Sequence, residues 1–112
     1  MTRLVITEPA TLDIEAIGQD LALKAGDATA ARYLGQIQKV CDRFVRFPSS
    51  GTPRSKYGKG IRTGYVHPYM IFYRYDVAND VIFVVRVLHS KRNISRDLLQ
   101  GISMRGRKGE PK

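Results

Sequence analysis

A single cysteine, Cys41, in a chain of 112 residues leaves no possibility of an internal disulfide and fits a reducing compartment. Long apolar runs are missing as well, so no segment reaches the length of a membrane span. The opening Met1-Thr2-Arg3-Leu4-Val5-Ile6 has too short an apolar core for a secretory signal, and a cytoplasmic location without membrane contact is expected. His, Cys and carboxylate side chains nowhere recur at metal-ligand spacing, and there is no glycine-rich phosphate loop. Neither a metal nor a cofactor is expected. Acidic residues are scarce in the second half: residues 51 to 112 hold 4 Asp and Glu against 13 Lys and Arg, whereas residues 1 to 50 hold 6 of each. The formal charge of +9 therefore belongs to that half. Such asymmetry points to an anionic partner, either nucleic acid or an acidic protein surface.

What is present is enough apolar content, 43%, for one core and one domain. From Gly60 to Asn93 the chain reads as three short strands with an arginine in each: Arg62, Arg74 and Arg86. Tyr69, Ile71, Tyr73 and Tyr75 alternate with Met70, Phe72 and Arg74, while Val81, Phe83, Val85 and Val87 alternate with Ile82, Val84, Arg86 and Leu88. His67-Pro68 breaks the first pair of strands, and Val77-Ala78-Asn79 between Asp76 and Asp80 breaks the second.

Before this meander, Arg3 to Ile6 reads as a strand ended by Thr7-Glu8-Pro9, in which Thr7 suits an N-cap and Pro9 a first helical turn. Ala10, Ile14, Ile17 and Leu21 recur on one face of a helix, which Leu12 and Leu23 widen. Gly26-Asp27 ends that helix and begins a second, whose stripe is Ala30, Tyr33, Leu34, Ile37, Val40, Cys41 and Phe44 and which Pro48 stops. Residues 48 to 59 form a loop. Ile94 to Leu99 can make a short helix. Residues 1 to 100 are thus one domain, and residues 101 to 112 are a basic tail with almost nothing to bury.

The expected architecture is α+β, in the order β-α-α-β-β-β. An N-terminal strand precedes an antiparallel helical hairpin packed on one face of a twisted antiparallel sheet, whose other face is left to solvent or a partner. The face on which Arg62, Arg74 and Arg86 stand depends on register, which the sequence leaves open.

With the elements in order, the stretch from Arg3 to Leu99 resembles the ParE/RelE superfamily of bacterial toxins, and its ParE branch in particular. Ala10, Asp13, Ile14 and Ile17 resemble the family's Ala-x-x-Asp-Leu-x-x-Ile. Pro48, Gly51 and Arg54, then Gly60-Ile61-Arg62, resemble its Pro-x-x-Gly-x-x-Arg and Gly-Leu-Arg. Tyr69-Met70-Ile71-Phe72-Tyr73-Arg74 resembles its Tyr-x-Ile-Phe-Tyr-Arg, and Arg86-Val87-Leu88-His89 with Arg92 resembles its Arg-Val-Leu-His-x-x-Arg.

The resemblance implies a type II toxin that traps DNA gyrase on cleaved DNA, a task for a binding surface without a catalytic group. Its target-binding residues would be Arg54, Arg62, Arg74, Arg86, Lys91 and Arg92. An arginine set among valines also suits a structural anchor paired to Asp13, and the two roles are weighed evenly for Arg86. The alternative is RelE-like cleavage of mRNA on the ribosome, which needs groups that hold the scissile phosphate and transfer protons. That reading would use Arg62, His89 and Arg92. The places where RelE-type nucleases carry an Arg and a late Tyr hold Met70 and the Ser95 to Leu99 region, which contains no Tyr or His. A third possibility is a basic nucleic-acid-binding or inactive paralogue. His89 at a strand end is better suited to a hydrogen-bonding turn, and Cys41 to the core. The resemblance further implies a ParD-type antitoxin with an amphipathic, acidic segment, through which alone operator DNA would be reached. That segment is expected to dock in an apolar groove between helices and sheet bordered by Tyr33, Ile37, Ile71 and Phe72.

Overall fold

The chain enters its first helix through a threonine that serves two elements at once. In the computed structural model, which describes residues 1–92 together with Ile94 and Leu99, Thr7 Oγ1 accepts from the Ala10 N–H at 3.4 Å and donates to the Val84 carbonyl at 2.9 Å. The cap therefore ends strand β1 (Arg3–Ile6), starts helix α1 (Glu8–Ala25), and ties both to the sheet. Gly26, at φ +92°, closes α1 and opens α2 (Asp27–Arg46) without a loop, a turn that the left-handed region reserves largely for glycine. The helical hairpin is as expected.

Five strands make one sheet in the order β1-β5-β4-β3-β2. They are β1, a two-residue β2 (Thr52–Pro53), β3 (Arg62–Val66), β4 (Tyr69–Asp76) and β5 (Val81–His89), with a single 3₁₀ turn at Ser55–Tyr57. The meander is antiparallel as expected, but β1 runs parallel to β5, Arg3 opposite Val81 and Ile6 opposite Val84. The sheet is thus mixed. The chain leaves β1 through the helices, crosses to the far side of the sheet and returns strand by strand until β5 arrives alongside β1 in the same direction. Residues 48 to 59, read as loop, also contribute β2, which lies along β3.

On β4 the alternation holds: Tyr69, Ile71 and Tyr73 are buried against the helices with Ala10, Ile37, Val40, Cys41 and Phe44. On β5 it does not. Phe72 faces Arg86 and Tyr73 faces Val84, so Val85 is an extra residue and the strand carries a bulge. Before the bulge Ile82 and Val84 belong to the helix-side core and Phe83 and Val85 to the opposite face; after it, Val87 belongs to the core and Leu88 to the opposite face. The even alternation read along Val81, Phe83, Val85 and Val87 is corrected accordingly.

The opposite face is not left bare either. Ile61, Phe72, Val85, Leu88 and Leu99 form a second cluster there, with Tyr57, Met70, Phe83 and Ile94 packed around it. Leu12 and Leu23, expected to widen the buried face of α1, are exposed, Leu23 at 89%. Of the expected C-terminal helix, Ile94 and Leu99 are described, and Leu99 is helical; the basic tail of residues 101–112 lies outside the described residues.

Candidate functional site

The basic residues proposed for a target surface fall into separate places. Arg62, on β3, donates from Nη1 to the carbonyls of Ser49 at 3.1 Å and Gly51 at 2.8 Å, and so holds the loop that follows α2. That loop is pinned a second time: the Tyr73 hydroxyl donates to the Pro48 carbonyl at 2.7 Å and accepts from the Gly51 N–H at 2.8 Å. Arg54 reaches across β3, its Nη2 2.7 Å from the Tyr65 hydroxyl. Hydrogen bonds from Thr63 and Arg54 hold that phenol below its ordinary pKa. Arg74 stands on the face opposite the helices beneath Gly58 and Gly60, where a Cβ on Gly58 would lie 3.2 Å from its Nη2. Burial lowers its pKa, and among the described residues its Nε finds no partner. Arg54, Arg62 and Arg74 thus all frame residues 48–62.

Arg86 is elsewhere and differently engaged. Its Nε lies 2.7 Å and its Nη2 2.9 Å from the two oxygens of Asp13 on α1, a bidentate pair that raises the arginine pKa through the hydrogen bonds it makes. Asp13 Oδ2 also accepts from the Val87 N–H at 3.0 Å, beyond the point where β1 stops pairing with β5. Of the two roles weighed for Arg86, the geometry is that of the anchor, and it is set aside as a surface contact.

The end of β5 borders a cleft of about 240 Å³ between α1 and the strand, lined by Asp13, Asp20, Tyr69, His89 and Arg92 among others. Burial and the Asp20 carboxylate push the Tyr69 phenol up. His89 packs edge-on against Tyr69, ring centres 5.6 Å apart, and its Nδ1 accepts from the Lys91 N–H at 3.0 Å. The imidazole is therefore built into the turn, with Nε2 left to carry the proton of the neutral ring. Lys91 and Arg92 are exposed beside it. Arg62 does not join this group. It pairs with Tyr73 and His89 with Tyr69, so the two stand four residues apart along the sheet and two strands apart across it, about 16 Å at ordinary strand spacings. The three residues of the nuclease reading are thus divided between two sites.

The expected groove for a partner segment is corrected. Ile37 and Ile71 are fully enclosed between helices and sheet, Phe72 is enclosed on the other face, and Tyr33 is half-buried against Tyr69 at 6.1 Å. These four residues do not border one surface, because the helices sit directly on the sheet: Phe44 stacks on Tyr73 at 3.8 Å, and Gly64 leaves room for it. Cys41 is buried in the same layer, its thiol pushed up to about 11 by burial. Among the described residues no group of His, Cys, Asp and Glu could hold a metal ion, and no helix is long and apolar enough to cross a membrane.

Residues 4–94 match the family described as the ParE toxin of the type II toxin-antitoxin system parDE. The chain belongs to this family. Toxin ParE3 of Caulobacter vibrioides is 31% identical over 98 residues, which are 88% of this chain and 96% of the relative. Two solved structures share the fold of this ParE-family chain. A chromosomal ParDE system from P. aeruginosa superposes with a TM-score of 0.68 at 21% identity, over 80% of this chain and 96% of that one. The toxin-antitoxin complex RelBE2 from Mycobacterium tuberculosis does so with a TM-score of 0.61 at 19% identity, over 79% and 96%. The motif match that marked the ParE branch therefore stands. The sequence reasoning missed the bulge at Val85 and the bridging role of Tyr73; the spacing of Pro48 and Gly51 before a buried tyrosine strand is the signal that could have found the latter.

Proposed function

We propose that this ParE-family toxin inhibits DNA gyrase by binding, in the cytoplasm, and is neutralised by a ParD-type antitoxin that alone links it to operator DNA. The observation that carries the preference for binding over RNA cleavage is that the Arg62 guanidinium donates to the Ser49 and Gly51 carbonyls, outside the cleft lined by His89 and Arg92, with about 16 Å between the Arg62 and His89 backbones at ordinary strand spacings. A phosphate-holding arginine and a proton-transferring histidine must meet at one scissile bond. The exposed cations Lys91 and Arg92 at the end of β5 suit contact with an anionic target surface, as do the guanidinium groups framing residues 48–62. An antitoxin partner is supported by the solved relatives, which are described as a ParDE system and a toxin-antitoxin complex.

The second reading, ribosome-dependent mRNA cleavage, draws on the meeting of Tyr69, His89 and Arg92 around one cleft. A gyrase supercoiling and DNA-cleavage assay, run beside an in vitro translation reaction probed for cut mRNA, separates them. Loss of supercoiling with trapped cleaved DNA is the expected result. Intact gyrase activity with codon-phased mRNA cuts would overturn the proposal in favour of the second reading.

A further inference from the structure

The outer edge of β3 is paired over only half its length. β2 contributes Thr52 opposite Thr63 and Pro53 opposite Arg62. Upstream of Thr52 the chain turns away, the Gly51 N–H being directed at the Tyr73 hydroxyl. The Ile61 carbonyl accepts from the Arg54 N–H at 2.9 Å, so Ile61 presents its backbone groups to the β2 side. In an antiparallel ladder that orientation alternates, so Thr63 and then Tyr65 present theirs to the same side. Among the described residues no strand meets Tyr65 there. Next to this open edge lies a groove of about 410 Å³ between α2 and the end of β3, lined by Gln36, Lys39, Val40, Tyr65, Val66 and His67.

We infer that this edge and groove together receive an extended, acidic peptide segment of a partner protein, added to the sheet as a sixth strand beside Tyr65. An added strand directs alternate side chains to opposite faces. One set would enter the groove at Lys39; the other would pass Arg54, which is already held against the Tyr65 hydroxyl. Charge selects the occupant. From Ala28 to Tyr75 the chain has nine Lys and Arg and one acidic residue, Asp42, whose carboxylate is engaged by Gln38. A second copy of this chain meeting the same edge would set Lys39 and Arg54 against their own equivalents, whereas an acidic strand is attracted by both. The inference rests on the antitoxin reading above only for the source of such a segment; the binding geometry is independent of what the toxin inhibits.

The test uses the full chain and a fluorescent peptide of about ten residues alternating Glu with Val. Amide chemical shifts locate the contact and fluorescence anisotropy gives the affinity. Expected are shift changes centred on Tyr65, Val66 and Lys39, and weakening by roughly tenfold when the alternate peptide amides that face the edge are N-methylated, with little effect from methylating the other set. Lys39→Glu weakens binding in the same direction while leaving the fold intact, since Lys39 is exposed. Equal binding by both methylated peptides, or shifts confined to other elements, would overturn the inference. Concentration-dependent shifts at Tyr65 without peptide would assign the edge to a second copy instead. Displacement of the peptide by a single-stranded oligonucleotide that shifts the same amides with higher affinity would assign it to nucleic acid. If gyrase inhibition fails in its own assay while the peptide still adds at Tyr65, the functional reading falls and this inference stands.

Discussion

Asp13 and Arg86, 73 positions apart in the chain, form a two-point ion pair in which the carboxylate also accepts the Val87 N–H. The contact joins α1 to β5 just past the bulge, where β1 no longer covers the edge of the strand. Both side chains are largely withdrawn from water, Arg86 at 15% and Asp13 at 12% exposure.

Removing either partner leaves the other charge in a poorly hydrated place. Arg86→Met is expected to destabilise the fold by about 2–4 kcal/mol. Asp13→Leu should cost more, because it also leaves the Val87 N–H without its acceptor, while the double substitution should recover part of the loss. Urea denaturation midpoints of the two single variants and the double variant check the order.

Two glycines should respond to alanine with opposite signs. A Cβ on Gly64 would lie 2.6 Å from Phe44 Cζ and 3.0 Å from Val40 Cγ1, both in the core, so Gly64→Ala is expected to cost about 1–3 kcal/mol through overpacking. Gly35 is an exposed residue within α2 with nothing within 4 Å of its Cβ direction, so Gly35→Ala should add up to about 1 kcal/mol of stability. Thermal melts of both variants against the parent decide this.

Acid should loosen the join between the N-terminus and the β4–β5 turn. Asp80 accepts from the Thr2 hydroxyl at 2.7 Å and the Tyr75 hydroxyl at 2.8 Å, and its carboxylate stands 3.8 Å from the terminal amine. Those hydrogen bonds, with the amine, hold its pKa below the usual value. A depressed folded-state pKa means that the stabilisation is complete above the unfolded value, about pH 4, and is lost as pH falls through the lower folded value. Asp80→Asn is therefore expected to flatten the decline of melting temperature below about pH 4, which a pH series of melts would show.

Charge reversal at the end of β5 should separate binding from folding. Lys91 and Arg92 are exposed, so Lys91→Glu with Arg92→Glu should change stability by no more than about 0.5 kcal/mol. If the proposed target surface includes them, gyrase inhibition should fall by roughly tenfold or more, and more steeply at low ionic strength. Supercoiling assays at two salt concentrations supply the comparison.

By itself the amino-acid sequence determined the elements and the family. The Thr7 cap, the Gly26-Asp27 junction, the stop before Pro48 and the period of two along β4 are local signals, because caps, turns and alternation are set by neighbours within a few residues. The motif order from Ala10 to Arg92 marked the ParE branch, which the family match then bore out. What only the tertiary structure decided depends on residues far apart in the chain. The parallel pairing of β1 with β5, the bulge that moves Val87 to the core side, and the choice of Asp13 as the partner of Arg86 are long-range register choices. So is the enclosure of Ile37, Ile71 and Phe72, residues whose apolar character reads the same in a core as in a docking groove. Periodicity reports that a side chain has a preferred face; which surface covers that face is settled only when the helices and the sheet come together.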